Sequence, residues 1–234
     1  MDALEWNPET GEPFLRLPAP FQNMIITPPR MSDVKPSVAI LKDPAVALWM
    51  GSTAPGKEYA EPKAEGWLTK IVAETDVGVQ EMKRGESPFS VCPIRHLREE
   101  RAEGGDVFLG DVGVYRAGWA HILDQEARAR MMEENNAKKA GDPETVWHVG
   151  YYLAPSHHGR GVMTVAVKAL IEWSVKWLGV QRLISSTFTE NRGSLRVLQK
   201  CGFVVVDTLV DHVPMDDGKW SMYLLEWNGQ TASE

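Results

Sequence analysis

The sequence contains little cysteine and no long apolar run. Only two of its 234 residues are cysteine, so a disulfide framework is excluded as the main stabiliser and a reducing, cytoplasmic compartment is expected. No stretch approaches the roughly 18 consecutive apolar residues that span a bilayer, so no membrane partner is expected. The first residues do not combine a basic segment with an apolar one, and we therefore expect no secretory signal.

Positive charge is also scarce. The chain has 25 Lys and Arg against 32 Asp and Glu, which gives a net charge of −7. Nucleic-acid binding needs clustered cations that neutralise phosphates, so no nucleic-acid partner is expected. An acidic chain suits a cationic partner such as an amine, although the same balance keeps many proteins soluble. The length and the 43% share of hydrophobic residues are enough for one large domain with its own core.

The arrangement of apolar residues predicts a mixture of strands and helices. Strands are predicted at 21–27, 89–97, 107–115, 146–153, 182–188, 203–210 and 220–227. Helical spacing predicts helices at 32–42, 61–83, 159–178 and 191–201, and a turn is expected at Asp216-Asp217-Gly218. Because strands and helices mix irregularly and end in a β-α-β-α-β-β run, a pure barrel, sandwich or bundle is excluded. The prediction is a mixed α/β (α+β) domain.

Two segments lack this order. Residues 1–20, rich in Pro and Glu, are interpreted as an extended N-terminal arm. Residues 116–145 form a charged insertion, and over 124–142 the two signs of charge nearly cancel. This composition favours a solvated helix or a mobile loop, while a lid over a substrate cleft stays open as the alternative.

A glycine-containing turn follows the predicted strand at 146–153 and precedes a helix. The first turn of a helix offers unpaired N–H groups and the positive end of the helix dipole. Gly159 and Gly161 would let a bulky anion reach these groups, and Arg160 adds a positive charge. The pattern predicts a pyrophosphate cradle, with a tight turn chosen for packing as the alternative. A mononucleotide P-loop is excluded because Lys-Ser/Thr does not follow Gly161, and the third glycine of a dinucleotide fingerprint is missing.

Two motifs, in order, resemble the GNAT superfamily of acyl-CoA N-acyltransferases. Residues 150–161 read Gly-Tyr-Tyr-Leu-Ala-Pro-Ser-His-His-Gly-Arg-Gly, and residues 190–203 read Glu-Asn-Arg-Gly-Ser-Leu-Arg-Val-Leu-Gln-Lys-Cys-Gly-Phe. The similarity is to the branch of ribosomal-protein N-acetyltransferases and small-amine acetyltransferases, which the opening at 26–33 also resembles. It covers residues 21–228 as a single domain, with 1–20 as an extension and 229–234 as a tail.

The resemblance implies a fold and a cosubstrate. The implied GNAT fold has a twisted mixed central sheet of about seven strands, helices on both faces, and a V-shaped splay between the fourth and fifth strands, here at 146–153 and 182–188. Acetyl-CoA is implied in that splay, without a metal. The residues implied in cofactor binding are Tyr152, Leu153, His158, Gly159, Arg160, Gly161, Val162, Met163, Asn191 and Ser194.

Two residues are catalytic candidates. In other GNAT branches a Tyr seven residues after the Asn protonates the leaving thiolate; Leu198 stands there in this chain, so Ser194 is implied as the donor. Many relatives have a Glu two residues before Gly-Tyr, where this chain has His148. Imidazole titrates near neutrality, so His148 is the leading candidate for the base. A strand histidine that hydrogen-bonds a neighbour is the alternative.

Two functions of different classes are predicted. The first is an N-acetyltransferase that moves an acetyl group from acetyl-CoA directly to a primary amine, on a small molecule or a protein N-terminus, in a ternary complex. The amine would enter beside residues 43–70 and the loop after 210, with Trp49 and Trp67 either in the core or in the amine pocket. The second, favoured by the missing Glu and Tyr, is a catalytically weak acyl-CoA-binding or regulatory module. A homodimer stays open.

Overall fold

One mixed sheet of nine strands runs through the part of the chain that the computed structural model describes, which is residues 4–50, 60–215, 218–227 and 229. The strands are β1 (Glu5–Trp6), β2 (Pro13–Arg16), β3 (Met24–Thr27), β4 (His96–Glu100), β5 (Asp106–Arg116), β6 (Val146–Leu153), β7 (Arg182–Phe188), β8 (Phe203–Met215) and β9 (Gly218–Trp227). The helices are α1 (Val34–Lys42), α2 (Pro44–Ala47), α3 (Glu61–Lys83), α4 (Gln125–Asn136), α5 (Val162–Leu178) and α6 (Arg192–Lys200).

The strand order is β1-β2-β3-β4-β5-β6-β7-β9-β8. All neighbouring strands are antiparallel except β6 and β7, which are parallel. The predicted mixed sheet is confirmed, with nine strands instead of about seven. The additional strands β1 and β2 come from the predicted arm, in which Leu15 pairs with Ile26 of β3 and Leu15 and Leu17 are buried. The Pro-rich arm lacks the alternation of apolar and polar residues that predicts a strand. Burial of these apolar side chains nevertheless holds it against the sheet.

Helices cover both faces of the sheet. On one face α5 contributes Leu170 and Trp173 to the main core cluster, and β6 contributes Trp147 and Val149. On the other face α1–α3 pack on β5 and β6 through a second cluster that consists of Val38, Leu41, Val46, Ala64, Phe108 and Tyr152. Because successive strand residues point to opposite faces, β6 contributes to both clusters. No helix in the described ranges combines the length and apolar character that a membrane crossing requires.

The charged insertion contains the helix α4. Asp124 begins it by accepting hydrogen bonds from the N–H groups of Glu126 and Ala127, both at 3.0 Å. At the other end the buried Asn135 pairs with the backbone of Val146, accepting from its N–H at 2.9 Å and donating to its carbonyl at 2.8 Å. The insertion is therefore tied to the first residue of β6.

The structure differs from the sequence prediction at one strand and at one short helix. The strand predicted at 89–97 begins only at His96. Phe89 belongs to an irregular segment, and its ring stacks on Trp173 at 5.9 Å and on Trp177 at 6.0 Å. The short helix α2 was not predicted; Asp43 caps it by accepting from the N–H of Ala45 at 2.9 Å. The predicted turn at Asp216-Asp217 lies outside the described residues.

Candidate active site

The strands β6 and β7 part after three residue pairs. Val146 pairs with Arg182, Trp147 with Leu183, and His148 with Ile184, and the two strands share no further pair. Beyond this point β6 pairs only with β5, and β7 only with β9. A cleft of about 860 Å³ lies along this opening. One edge of β6 thus faces a space where a slender molecule could pair with the backbone.

All the predicted cofactor-binding residues except Arg160 line this cleft. Tyr152 and Leu153 come from the end of β6, and Asn191 and Ser194 from the start of α6. The remaining predicted residues lie on the turn between β6 and α5 or in the first turn of α5: His158, Gly159, Gly161, Val162 and Met163. Arg160, on the same turn, is exposed and does not line the cleft. The paired motifs therefore meet at one opening in the sheet.

The turn before α5 leaves its backbone open. Gly159 has a φ of +72° and Gly161 a φ of +83°, a region that favours glycine, and a Cβ at either position would meet nothing within 4 Å. Gly161 is the N-cap residue of α5, and no side chain caps this helix. Its first N–H groups therefore lack a side-chain partner and face the cleft at the positive end of the helix dipole. This arrangement fits the diphosphate of acetyl-CoA.

Ser194 is held from two sides. The side chain of Asn191 caps α6 by accepting from the N–H of Ser194 at 3.0 Å. The Tyr151 hydroxyl lies 2.9 Å from Ser194 Oγ and 3.1 Å from the Ser194 carbonyl oxygen. Burial raises the pKa of Tyr151, against the opposing effect of its hydrogen bond with Ser194, so the phenol keeps its proton. Leu198, at the position of the missing tyrosine, is fully buried in the core.

Tyr151 is the residue that sequence reasoning missed. It stands in the Gly-Tyr motif, and strand alternation places it on the face that α5 and α6 cover, together with Val149 and Leu153. That alternation, combined with the strand-helix order, is the signal that could have paired it with Ser194. In this chain a tyrosine therefore reaches Ser194 from β6.

His148 lines the cleft on the opposite face of β6. Its ring lies 5.2 Å from that of Tyr115, and its buried Nδ1 has no hydrogen-bond partner among the described residues. Burial, with smaller contributions from the charges of His121 and Arg95, lowers the pKa of His148 to about 4. The imidazole is therefore neutral near pH 7, with a lone pair available but little affinity for a proton.

The side of the cleft where the amine was predicted to enter is mostly apolar. Trp49, Met50, Val213 and Met222 line it, and Trp49 lies 6.0 Å from the ring of Trp220. This places Trp49 at the predicted amine pocket. The other tryptophan considered for that pocket, Trp67, packs on Arg95 and does not line the cleft. Residues 51–59 of the predicted border lie outside the described residues.

A connected set of charged side chains lies under α1 and the 3-10 turn before it. Asp33 lies 2.7 Å from Nδ1 of His96 and 2.5 Å from Nη2 of Arg98, and Arg98 also binds Asp106 at 2.9 Å. His96, Arg98 and Asp33 are almost fully buried. Although burial works in the opposite direction, the hydrogen bond from His96 and the charge of Arg98 lower the pKa of Asp33. Arg30 extends the set to Glu12 in the N-terminal arm.

Comparisons with known proteins agree with this geometry. A family model described as "Acetyltransferase (GNAT) domain" matches residues 23–204. A 55-residue stretch is 38% identical to the "Probable N-acetyltransferase YjcK" of Bacillus subtilis (strain 168), which is 24% of this chain and 30% of that relative. The match thus spans about a third of the curated relative's length.

Solved structures share the fold. A GNAT-family acetyltransferase from Bacillus anthracis covers 91% of this chain and 96% of its own, with 14% identity and a TM-score of 0.59. RimJ of Mycobacterium smegmatis, in complex with CoA-disulfide, covers 95% of this chain and 89% of its own, with 17% identity and a TM-score of 0.57. The resemblance drawn from the paired motifs is confirmed. Because the family model spans most of the sequence, the chain belongs to the GNAT acetyltransferase family, a family of acyltransferases.

Proposed function

We propose that this protein transfers an acetyl group from acetyl-CoA directly to a primary amine. The observation that carries the proposal is the parting of β6 and β7 after His148, which opens a cleft that the uncapped start of α5 also lines. A strand edge and a set of free N–H groups are what a pantetheine arm and a diphosphate require. The similarity in fold to a CoA complex of M. smegmatis RimJ supports the choice of ligand.

Different residues would bind different parts of acetyl-CoA. The N–H groups of the turn at 159–163 would bind the diphosphate, since that of His158 already donates to the Pro155 carbonyl at 3.1 Å, while the backbone of Tyr152 and Leu153 would pair with the pantetheine arm. Asn191 would act mainly through its cap on α6, which sets the position of Ser194. Arg160 is exposed at the rim and would contribute through its charge alone.

Ser194 would protonate the leaving sulfur. The bound thioester supplies an activated acetyl group, whose C–S bond breaks as the amine nitrogen bonds to the carbonyl carbon. When Tyr151 donates a hydrogen bond to Ser194 Oγ, the serine hydroxyl proton is free to pass to the leaving sulfur, and water then returns a proton to the serine. The raised pKa of Tyr151 keeps the phenol proton in place, so Tyr151 orients the serine and supports its donation.

His148 would receive the proton that the amine loses, directly or through a water molecule. With a pKa of about 4 it is unprotonated at every pH at which the amine is reactive. The same low value means that it holds the proton only briefly before water takes it. The amine therefore has to enter as the free base, which favours acceptors whose own pKa lies near neutrality, such as α-amino groups at about 8.

The test starts with acetyl-CoA binding by the full chain, measured calorimetrically. Gly161→Glu would place a carboxylate against the diphosphate, and like charges in such contact cost several kcal/mol, so binding should weaken by at least about 100-fold. Gly161→Asn is the matched control, because asparagine tolerates positive φ without adding charge, and it should weaken binding far less. Equal binding by all three proteins would overturn the proposal.

A second function is acyl-CoA binding without turnover. The low pKa of His148 favours it, because so weak a base gives little help in deprotonating an amine. Release of CoA from acetyl-CoA, followed with a thiol reagent in the presence of amines of different pKa, separates the two functions. Acetylated product found by mass spectrometry supports the enzyme, and saturable binding with no product from any amine supports the binding module.

A further inference from the structure

The hydrogen bond between Tyr151 and Ser194 marks the level on β6 at which the reaction would occur. In the proposed function Ser194 protonates the sulfur, so the thioester lies beside Tyr151. Because successive residues of a strand point to opposite faces, Gly150 and Tyr152 face α1–α3 at this level, while Tyr151 faces α5 and α6. His148, earlier on the α1–α3 face, also lines the cleft. The amine would therefore approach the thioester from the α1–α3 face.

The strand β7 forms the opposite wall of the cleft on this face. Ile184 pairs with His148 and therefore points to the α1–α3 face, and the same alternation places Ser186 and Phe188 there. Phe188 pairs in turn with Met222 of β9. Both residues of this pair are nearly buried and line the cleft. Successive residues on one face of a strand are about 6.6 Å apart, so an apolar wall begins that far from Ser186.

Two tryptophans extend this apolar wall. The ring of Trp220, on β9, meets that of Phe188 edge to face with 5.1 Å between ring centres, and the ring of Trp49 lies 6.0 Å from that of Trp220. Trp49 belongs to the segment after α2 and lines the cleft. Rings from three separate segments thus form one aromatic surface beside the level of Tyr151. Such a surface can remove a large apolar group from water and add ring-to-ring contacts.

The charged residues of the cleft lie away from the aromatic surface. Among the described residues that line the cleft, the Asp, Glu, Lys and Arg side chains are those of Glu190, Arg192, Arg196 and Lys200. All four belong to α6 or to the turn just before it, at the proposed cofactor end. A second charge on the acceptor would lose water against the aromatic surface without gaining a partner there, which disfavours a polyamine and a carboxylate alike.

Building on the proposed function, we propose that the acceptor is a primary amine joined by a short link to a large, uncharged apolar group, above all an aromatic ring. The nitrogen lies at the level of Gly150 and Ser186, and the apolar group packs on Phe188, Met222 and Trp49. A link of two carbons is enough to carry a ring across the distance of about 6.6 Å between these two levels. An amide of an aromatic amino acid and a peptide that begins with such a residue share this chemistry.

The test uses pairs of α-amino amides that differ in one group. Phenylalanine amide and glycine amide differ in the ring, and norleucine amide and lysine amide differ in a second ammonium group. CoA release is measured with the full chain at saturating acetyl-CoA, and rates are compared per concentration of free α-amine. Because the wall would bury a group the size of a phenylalanine side chain, kcat/KM should be roughly 10- to 100-fold higher for phenylalanine amide than for glycine amide. Lysine amide should be used at least about tenfold less well than norleucine amide.

Trp49→Ala should lower kcat/KM for phenylalanine amide by roughly tenfold and change that for glycine amide little. Unchanged binding of acetyl-CoA shows that this variant is folded. Trp49→Phe keeps a ring at the position and should retain most of the preference. Trp6→Ala is the matched control, because Trp6 is 41% exposed on β1, at the other end of the sheet from β8 and β9, and it should keep the full preference.

The same comparison with short peptides that begin with phenylalanine or glycine distinguishes a small amide from a peptide as the source of the amine, and a preference for phenylalanine in either series supports the inference. Equal use of phenylalanine and glycine in both series would refute the acceptor class and leave the acetyltransferase function standing. Survival of the preference in Trp49→Ala, or its loss in Trp6→Ala, would refute the role of the aromatic surface. Binding of acetyl-CoA without product from any acceptor would refute the function itself, and the acceptor class with it.

Discussion

Replacing His148 should remove a pH-dependent penalty on folding. The folded protein holds this imidazole neutral, with a pKa of about 4, whereas the unfolded chain returns it to about 6.5. Between these values the unfolded state binds more protons than the folded state, so the free energy of unfolding falls as the pH falls. The penalty begins near pH 6.5 and is largely reached by pH 4.

The size of the penalty follows from the two pKa values. They differ by about 2.5 units, and each unit corresponds to about 1.4 kcal/mol, so the penalty has a limit of about 3.5 kcal/mol, of which about 3 kcal/mol is reached at pH 4, where the folded protein is half protonated at His148. For a protein whose total stability is of the order of 5–15 kcal/mol, such a loss is large. His148→Gln has no group that titrates there and should not show it.

The assay is urea unfolding followed by tryptophan fluorescence, for both proteins, at intervals from pH 7.5 to pH 4. At pH 7.5 the histidine is neutral in both states, so the difference in stability there reports only the change of contacts. As the pH falls, the original protein should lose stability faster than His148→Gln, by up to about 3 kcal/mol. Parallel curves would refute the buried, neutral imidazole and the account of its role in the reaction.

Three further outcomes are expected. Tyr151→Phe should lower kcat by roughly tenfold without changing the KM for acetyl-CoA, and combining it with Ser194→Ala should cost no more than Ser194→Ala alone, because the tyrosine acts through the serine. Arg98→Met leaves Asp33 with His96 and Asp106 with Arg30 as the remaining partner, and should reduce the free energy of urea unfolding by about 3 kcal/mol. Asn135→Ala, which removes two hydrogen bonds to Val146, should lower the midpoint of thermal unfolding while sparing acetyl-CoA binding; an unchanged midpoint would contradict the link between α4 and β6.

Elements with strong local signals were predictable to the residue. The ends of α3, β6 and β7 agree with the sequence prediction, because Pro62 stands in the first turn of α3 and apolar runs end at Pro155 and Asn191. The strand prediction around Phe89 was wrong because Phe89, Cys92 and Ile94 are buried as strand residues would be. Phe89 packs on Trp173 and Trp177 of α5, Cys92 and Ile94 belong to the main core cluster, and periodicity cannot distinguish such a packed loop from a strand.

The candidate site also has parts that the sequence could predict and parts that it could not. The turn at Gly159 and Gly161 and the cap at Asn191 are contiguous motifs, each with its own physical cause, so they could be found in one sequence. The surroundings of His148 are different, because Tyr115 on β5 and Arg95 before β4 come from separate segments that only the sheet brings together. Burial also cannot be read from a motif, and it is burial that changes His148 from an ordinary imidazole into one that stays neutral.

The alternation of β6 explains why the cleft has to pass through the sheet. Tyr151 points to the face of α5 and α6, where it meets Ser194, while His148 and Tyr152 point to the face of α1–α3. The residues proposed as the proton donor for the sulfur and as the acceptor for the amine proton thus lie on opposite faces of one strand. In a closed sheet no single substrate could reach both of them. In the proposed mechanism the thioester lies between the two faces where β7 departs from β6, so the splay would determine the chemistry as well as the binding.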